Sequence, residues 1–340
     1  MIIVLKLNPT PEDVRTVEDH VRDLGYVPHT LNGEVRTVIA CIGDETHHAD
    51  LHALLNLPMV SEVIPIQKKF KLISREVHPD PMPVSVGDLR ISGDTFHVIA
   101  GPCAVESMEQ TLSTARFVKQ SGATLLRGGA YKPRTSPYDF QGLGRDGLKI
   151  LADVKAETGL PVVTELVSER DAEAVAEVAD VIQIGARNAL NYALLTEAAQ
   201  TGRPVLLKRG LSSTLQEWLL AAEYIAKQGN PNIILCERGI RTYETATRNT
   251  LDLSAVAAVK RETGLPVFVD PSHAAGRLDL VLPLARAAVA VGADGLLVEV
   301  HPDPEHALGD QAQQMTFDVF REFVDGIKPY VQLTGRDHAF

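Results

Sequence analysis

The chain of 340 residues is poor in cysteine, in aromatic side chains and in long apolar runs. Its three cysteines, Cys41, Cys103 and Cys236, are odd in number and sparse. That argues against a disulfide framework and for a reducing, cytoplasmic setting. No stretch approaches the roughly 18 apolar residues of a membrane span, so no membrane partner is expected. The opening "MIIVLKLNPTPEDV" holds an apolar run too short for a signal peptide, interrupted by Lys6 and Pro9. Basic residues are in deficit: 33 Lys and Arg against 44 Asp and Glu leave a net charge of −11. This disfavours a nucleic-acid partner, which would call for a basic face. What remains is ordinary globular composition, 45% hydrophobic, with enough apolar surface for a large core.

Residues 1 to about 66 read as β-α-β-β-α-β, the ferredoxin-like (α+β) order. "MIIVLKL" is a strand, and "PTPEDVRTVEDHVRDLG" is an amphipathic helix with Pro near its start and Gly25 beyond its end. "YVPHTL" and "VRTVIACIG" are strands around the turn "NGE", "ETHHADLHALLNL" is a second helix, and "VSEVIPI" is the last strand. The "HHADLH" stretch within the second helix invites a metal reading, but its spacing suits a solvated helix face better. A charged, Pro-rich linker leads into a short hairpin. The expected domains are residues 1–70, a small ferredoxin-like domain, 71–95, linker and hairpin, and 96–340, the catalytic domain.

From residue 96 eight short apolar runs alternate with amphipathic stretches: "FHVIAG", "ATLLRG", "PVVTEL", "DVIQIG", "PVLLKR", "NIILCE", "PVFVD" and "GLLVEV". Continuous apolar runs suit parallel strands buried on both faces. Eight β-α units in this length predict an α/β fold, a (β/α)8 TIM barrel. A weak repeat agrees: "ETGLPVV", "QTGRPVL" and "ETGLPVF" each end a helix and start a strand. An open doubly wound sheet is the alternative fold.

Barrel enzymes build their sites at the C-terminal ends of the strands. Six cations fall there: Arg127, Lys132, Arg134, Arg187, Lys208 and Arg238. In an acidic protein, so many on one rim imply at least two anionic groups to hold, phosphate or carboxylate. Solvated loop cations paired with local acids are the bland alternative. Four other residues, Cys103, His273, Glu299 and Asp310, follow strands 1, 7 and 8, which become neighbours on closure. They offer S, N, O and O donors, a set suited to one divalent transition metal. On spacing alone Cys103 stays open between metal ligand, buried packing residue and nucleophile; Cys41 and Cys236 read as packing. "GLGRDG" fits a dinucleotide pattern, but a polar loop precedes it, so it reads as a rim loop.

The stretches "GPCAVES", "RGGAYKPRTSPYDFQGLG", "QIGARN", "LLKRG", "CERGIRTYETATRNTLDLSAV", "DPSHAAGR" and "DGLLVEVHPDPEHAL" closely resemble the 3-deoxy-D-arabino-heptulosonate 7-phosphate (DAHP) synthase family. The resemblance is to its class I beta type, related to 3-deoxy-D-manno-octulosonate 8-phosphate synthase and carrying an N-terminal ferredoxin-like domain. It spans the whole chain and implies condensation of phosphoenolpyruvate with erythrose 4-phosphate, the first step of the shikimate pathway to the aromatic amino acids. By the same resemblance Cys103, His273, Glu299 and Asp310 would bind one divalent ion, Mn, Fe, Co or Zn. Arg127, Lys132, Arg187, Lys208 and Arg238 would hold phosphoenolpyruvate. Arg134 and Thr135 would hold the aldose phosphate, and Lys132 would transfer a proton near the aldehyde oxygen. "KPRT" sets the chain apart from the octulosonate synthase, whose stretch looks like "KANR". "LGDQAQQM" after Asp310 departs from the "LSDGPQSL" more often read in relatives and leaves that ligand less secure than the other three. Relatives also imply a tyrosine or phenylalanine inhibitor at the N-terminal domain and a homotetramer. Two other readings compete: the octulosonate synthase itself, using arabinose 5-phosphate, and a catalytically dead barrel kept as an amino-acid sensor.

Overall fold

The computed structural model describes residues 1–33, 36–43, 51–64 and 69–340. By contacts the chain divides into residues 1–80 with 262–264, and residues 81–261 with 265–340.

In the first unit, Thr10 caps the N-terminus of α1 (Pro11–Asp23), which follows β1 (Ile2–Leu5). The Thr10 hydroxyl accepts from the Asp13 N–H while the Asp13 carboxylate accepts from the Thr10 N–H, a reciprocal box worth about 1 kcal/mol. Val17 and Val21 form the buried stripe of α1 and pack with Ile3, Leu5 and Ile39. β2 (Val27–Asn32), β3 (Thr37–Ile42) and β4 (Val60–Ile64) complete a sheet of order β2-β3-β1-β4. Its neighbours are all antiparallel, as the ferredoxin-like pattern requires. Of the second expected helix, Leu51–Asn56 forms a 3-10 helix. Residues 45–50, with His47, His48 and Asp50 of the "HHADLH" stretch, lie outside the described residues.

The second unit opens with a hairpin, β5 (Val84–Val86) and β6 (Leu89–Ile91). The eight strands that follow are β7 (Thr95–Gly101), β8 (Leu125–Arg127), β9 (Val162–Glu165), β10 (Val181–Ile184), β11 (Val205–Lys208), β12 (Ile233–Glu237), β13 (Val267–Val269) and β14 (Gly295–Glu299). Each matches one of the eight apolar runs. All pair in parallel with their sequence neighbours, and β14 pairs with β7 from Gly295↔His97 to Glu299↔Gly101, which closes the barrel. The expected (β/α)8 barrel is therefore present, and the open sheet is excluded.

The outer helices are α2 (Met108–Gln120), α3 (Arg145–Thr158), α4 (Ala172–Val178), α5 (Tyr192–Gln200), α6 (Leu215–Lys227), α7 (Leu253–Glu262), α8 (Pro271–Ala275), α9 (Val281–Ala290) and α10 (Phe317–Leu333). α8 is a short extra turn directly after β13, ahead of the crossover helix α9. The barrel core holds Ile99, Leu125, Val163, Leu206, Cys236 and Leu297, and hairpin residues Val84, Val86 and Ile91 pack into the same cluster. The hairpin thus fills the end of the barrel where the strands begin. Cys236 is a core residue, as expected. The tail returns to the same strand ends: β15 (Asp337–His338) pairs with Thr95 and Phe96, and Phe340 meets Phe96 edge-on. Among the described residues, no helix is long and apolar enough to cross a membrane.

Candidate active site

The opposite ends of the strands are polar. β8 ends in Arg127, β9 in Glu165, β11 in Lys208 and β14 in Glu299, each buried with its charged head directed into the C-terminal mouth of the barrel. A strand buried on both faces can end in a charge only where partners offset its desolvation. Arg127 donates to Glu299 Oε1 at 2.9 Å and to the Cys103 carbonyl at 3.0 Å. Lys208 donates to Asp270 Oδ2 at 2.5 Å. Lys132, in the loop after β8, donates to the same Cys103 carbonyl at 2.9 Å.

All six expected cations line one cavity, and Arg248 joins them. Arg134 Nη1 lies 3.5 Å from Asp310 Oδ2, and Arg187 donates to the Thr135 hydroxyl at 3.0 Å. Arg238 turns to the carbonyls of Gly239 and His273. Arg127 Nε and Arg134 Nη2 are buried without a hydrogen-bond partner. Buried guanidinium nitrogens left open in this way suit an anion that brings its own oxygens.

Beside this cavity the donor atoms of Cys103, Glu299 and Asp310 all lie within 4.8 Å of one another. Ligands of one ion at 2.0–2.3 Å stand roughly 3–4.5 Å apart, so the three fit a common centre after a small contraction. Cys103 Sγ is 3.1 Å from Asp310 Oδ2. His273 stands at the edge of this group, with Nε2 3.3 Å from Glu299 Oε1 and Nδ1 2.6 Å from Asp270 Oδ2. A carboxylate behind the distal nitrogen is the usual support of a metal-ligating imidazole.

The electrostatics follow from burial and pairing. Burial, then Glu299, pushes the Cys103 thiol up to about 12, so the protein alone keeps it protonated. Burial also lowers His273, against the pull of Asp270 and Glu299, which favours a neutral ring. Burial would raise Asp270, but His273 and Lys208 outweigh it and hold the carboxyl well below its usual range. Burial is likewise outweighed at Asp310 by His273 and Arg248, and at Glu299 by His273 and Arg127; both lie low.

Sequence reasoning missed four side chains. Arg248 donates to Asp310 Oδ1 at 3.0 Å, and Gln313 donates to Glu299 Oε2 at 2.6 Å. Asp270 joins Lys208 to His273. Glu165 enters the cavity because Gly185 opposite has no side chain; a Cβ there would stand 2.0 Å from Glu165 Oε1. Arg248 and Asp270 lie inside stretches already singled out, "TYETATRNT" and "DPSHAAGR". The "GLG" glycines form the predicted rim loop: Gly142 has φ +92°, and a Cβ on it would stand 2.2 Å from the Ala130 carbonyl oxygen.

Fold and site together define a (β/α)8 barrel enzyme whose mouth gathers seven cations around a cavity beside the close-set donor atoms of Cys103, Glu299 and Asp310. The profile of the DAHP synthetase I family matches residues 72–332, and that of the DAHP synthase ferredoxin-like domain matches residues 1–68. The chain is 51% identical to the phospho-2-dehydro-3-deoxyheptonate aldolase of Thermotoga maritima, over 98% of its own length and 99% of the relative's. A crystal structure of that aldolase, also called DAHP synthase, aligns with a TM-score of 0.79 at 50% identity, covering 99% of this chain and 98% of the other. A 2-dehydro-3-deoxyphosphooctonate aldolase of Syntrophotalea carbinolica is 36% identical over 70% of the chain and 92% of the relative. The chain belongs to the DAHP synthetase I family.

Proposed function

We propose that this protein condenses phosphoenolpyruvate with erythrose 4-phosphate to give DAHP and inorganic phosphate, at the head of the shikimate pathway to the aromatic amino acids. The observation that carries this reading is the single cavity lined by seven cations beside three donor atoms of S, O and O type. Two phosphates and a carboxylate need such a cavity, and an aldehyde to be polarised needs such a centre.

Cys103, His273, Glu299 and Asp310 hold one divalent ion, Mn, Fe, Co or Zn, which supplies Lewis acidity to the aldehyde oxygen when bound. The Cys103 thiol, pushed up to about 12 by burial, gives up its proton on metal binding. Arg127, Lys132, Arg187, Lys208 and Arg238 hold the phosphate and carboxylate of phosphoenolpyruvate. Arg134 and Thr135 hold the phosphate of the aldose. The Arg187–Thr135 hydrogen bond keeps the two subsites adjacent, so the two substrates are bound side by side. Carbon 3 of phosphoenolpyruvate attacks the aldehyde carbon while Lys132 gives a proton to the aldehyde oxygen. Water adds at carbon 2, where positive charge develops, and phosphate leaves by carbon–oxygen cleavage.

The domain roles are residues 1–70 for sensing of tyrosine or phenylalanine, 71–95 for linker and hairpin, and 96–340 for catalysis. The protein works in the cytoplasm as a homotetramer.

The test is steady-state loss of phosphoenolpyruvate with each sugar phosphate, before and after EDTA. Consumption should require erythrose 4-phosphate, stop with EDTA and return with Mn²⁺. Turnover with arabinose 5-phosphate instead would assign the octulosonate reaction. Full activity in metal-free protein would refute the metal role. Near-normal turnover in Lys132→Met would remove the proton-transfer role.

A further inference from the structure

Cys103 and Asp310 lie on separate loops, 207 residues apart in the chain. Building on the metal reading above, we propose that Gln314, assisted by Glu106, is a positioning residue that fixes Asp310 relative to Cys103 and so sets the affinity of the centre for its ion.

The Asp310 loop is a demanding one. Asp310 has φ 52° and ψ 36°, a left-handed backbone that costs a non-glycine residue energy the surroundings must offset. After it the chain returns to β14: Met315 N–H donates to the Glu299 carbonyl and His301 N–H to the Met315 carbonyl, both at 2.9 Å. Gln311–Gln313 forms a 3-10 turn, and the chain becomes extended at Gln314. Gln313, at the end of the turn, reaches the Glu299 carboxylate, and Gln314 turns towards Cys103. The Gln314 amide is used at both ends: Oε1 accepts from the Cys103 N–H at 3.1 Å, and Nε2 donates to the Gly309 carbonyl at 2.9 Å. One buried amide thus spans from the backbone of one ligand to the residue just before another.

Glu106, three residues beyond Cys103, makes a second strut. Its Oε1 accepts from the Leu308 N–H at 2.9 Å, and its Oε2 lies 3.5 Å from His301 Nε2. The other ring nitrogen of His301 accepts from the Asp303 N–H at 3.0 Å. The hydrogen bonds of the two struts meet the Asp310 loop at residues 308 and 309, immediately before Asp310.

A buried glutamine gives up side-chain freedom that its hydrogen bonds roughly offset. A leucine or methionine of similar volume would keep the packing but leave the Cys103 N–H and the Gly309 carbonyl without this partner. What the amide adds is register. It ties the loop of Cys103 to the loop of Asp310, whose thiol and carboxylate stand 3.1 Å apart, and so limits how far the two ligands can separate.

The experiment uses the full chain with Co²⁺ as probe and no substrate. Thiolate-to-cobalt absorption reports coordination by Cys103, and competition with a chelator gives the affinity. Cys103→Ser should abolish the band; a band that survives there would overturn the metal reading itself. Gln314→Leu and Glu106→Ala should each bind Co²⁺ about 10–100-fold more weakly while keeping the band at saturation. In an Asp310→Ala background, Gln314→Leu should add less than about twofold, because its path through Asp310 is gone. With the Cys103→Ser control behaving, Co²⁺ affinity within about twofold of the parent in Gln314→Leu would overturn the proposal. A lowered melting temperature with unchanged affinity would do the same. If Gln314→Leu does not fold, Glu106→Ala carries the same comparison.

Discussion

Asp270→Asn is the perturbation whose size the structure best defines. Asp270 is fully buried at the N-terminus of α8, with Lys208 Nζ at 2.5 Å and His273 Nδ1 at 2.6 Å. Asparagine keeps the volume and an oxygen that accepts from the His273 N–H, now at 2.9 Å. The loss is therefore one of charge. Lys208, whose side chain is 5% exposed, would be left as a buried ammonium without its counter-ion. Removing one partner of such a pair costs about 3–5 kcal/mol. Because burial is outweighed by His273 and Lys208, the Asp270 carboxyl titrates below its unfolded value. Its contribution is present above that value, about 4, and is lost only as pH falls below it. The cost of Asp270→Asn should then be flat from about pH 6 to about pH 8. Urea unfolding at both pH values reads it directly. The second arm is Lys208→Met combined with Asp270→Asn, which removes both charges and should recover most of the loss. A loss below about 1 kcal/mol in the single variant, or no recovery in the double, would refute this electrostatic account of the mouth of the barrel.

Arg134→Ala should raise KM for erythrose 4-phosphate about 10–100-fold, the worth of one charge-assisted hydrogen bond, with a smaller change for phosphoenolpyruvate. The opposite pattern in steady-state kinetics would move Arg134 to the other substrate. His97 sits buried at the start of β7, its Nε2 3.1 Å from the Arg90 carbonyl, and burial lowers its pKa below the unfolded value of about 6.5. Stability should hold above about pH 6.5 and fall as pH drops through the window between the two values, because the unfolded chain takes up the proton first. His97→Gln should flatten that slope in urea titrations at pH 5.5 and 7.5, and an unchanged slope would exclude His97 as its source. Removing residues 1–70 should leave a catalyst that neither tyrosine nor phenylalanine inhibits; retained inhibition would place the effector site in the barrel.

The eight strands were legible because a parallel strand covered on both faces must be apolar at consecutive positions, and "PVLLKR" or "NIILCE" shows this without any partner in view. The rim was legible for a related reason. A charge such as Arg127 or Lys208 at the end of an apolar run marks where a strand leaves the core. What could not be read depends on contacts between distant segments. The register of closure, with Gly295 opposite His97, the packing of the hairpin into the barrel and the two-residue strand at Asp337 leave no periodic trace. Arg248 lies in a loop whose course sets its direction, and Gln314 is one polar residue among several in "QAQQM". Its meaning depends on a bridge between Val300 and Met315 that only the folded chain makes.

Charge balance accounts for how so many cations stand together in an acidic protein. Seven face the cavity. Four carboxylates answer them: Glu165 and Asp310 in its lining, Glu299 on Arg127, and Asp270 on Lys208. Three positive charges are left over. In the proposed metal centre a divalent ion would add two and a Cys103 thiolate would take one back, leaving an excess of about four. Phosphoenolpyruvate brings about three negative charges and an aldose phosphate about two. Either substrate alone leaves the cavity positive, so the first to arrive does not turn away the second. Phosphoenolpyruvate alone would leave about one positive charge, the aldose phosphate alone about two, and both together about one negative. A cavity holding fewer cations would admit phosphoenolpyruvate and then repel its co-substrate. One without the buried carboxylates would carry an unbalanced charge large enough to strain the folded barrel before any substrate came. The pairing of Arg127 with Glu299 and of Lys208 with Asp270 is what lets a single fold remain stable when empty and still attract two anions.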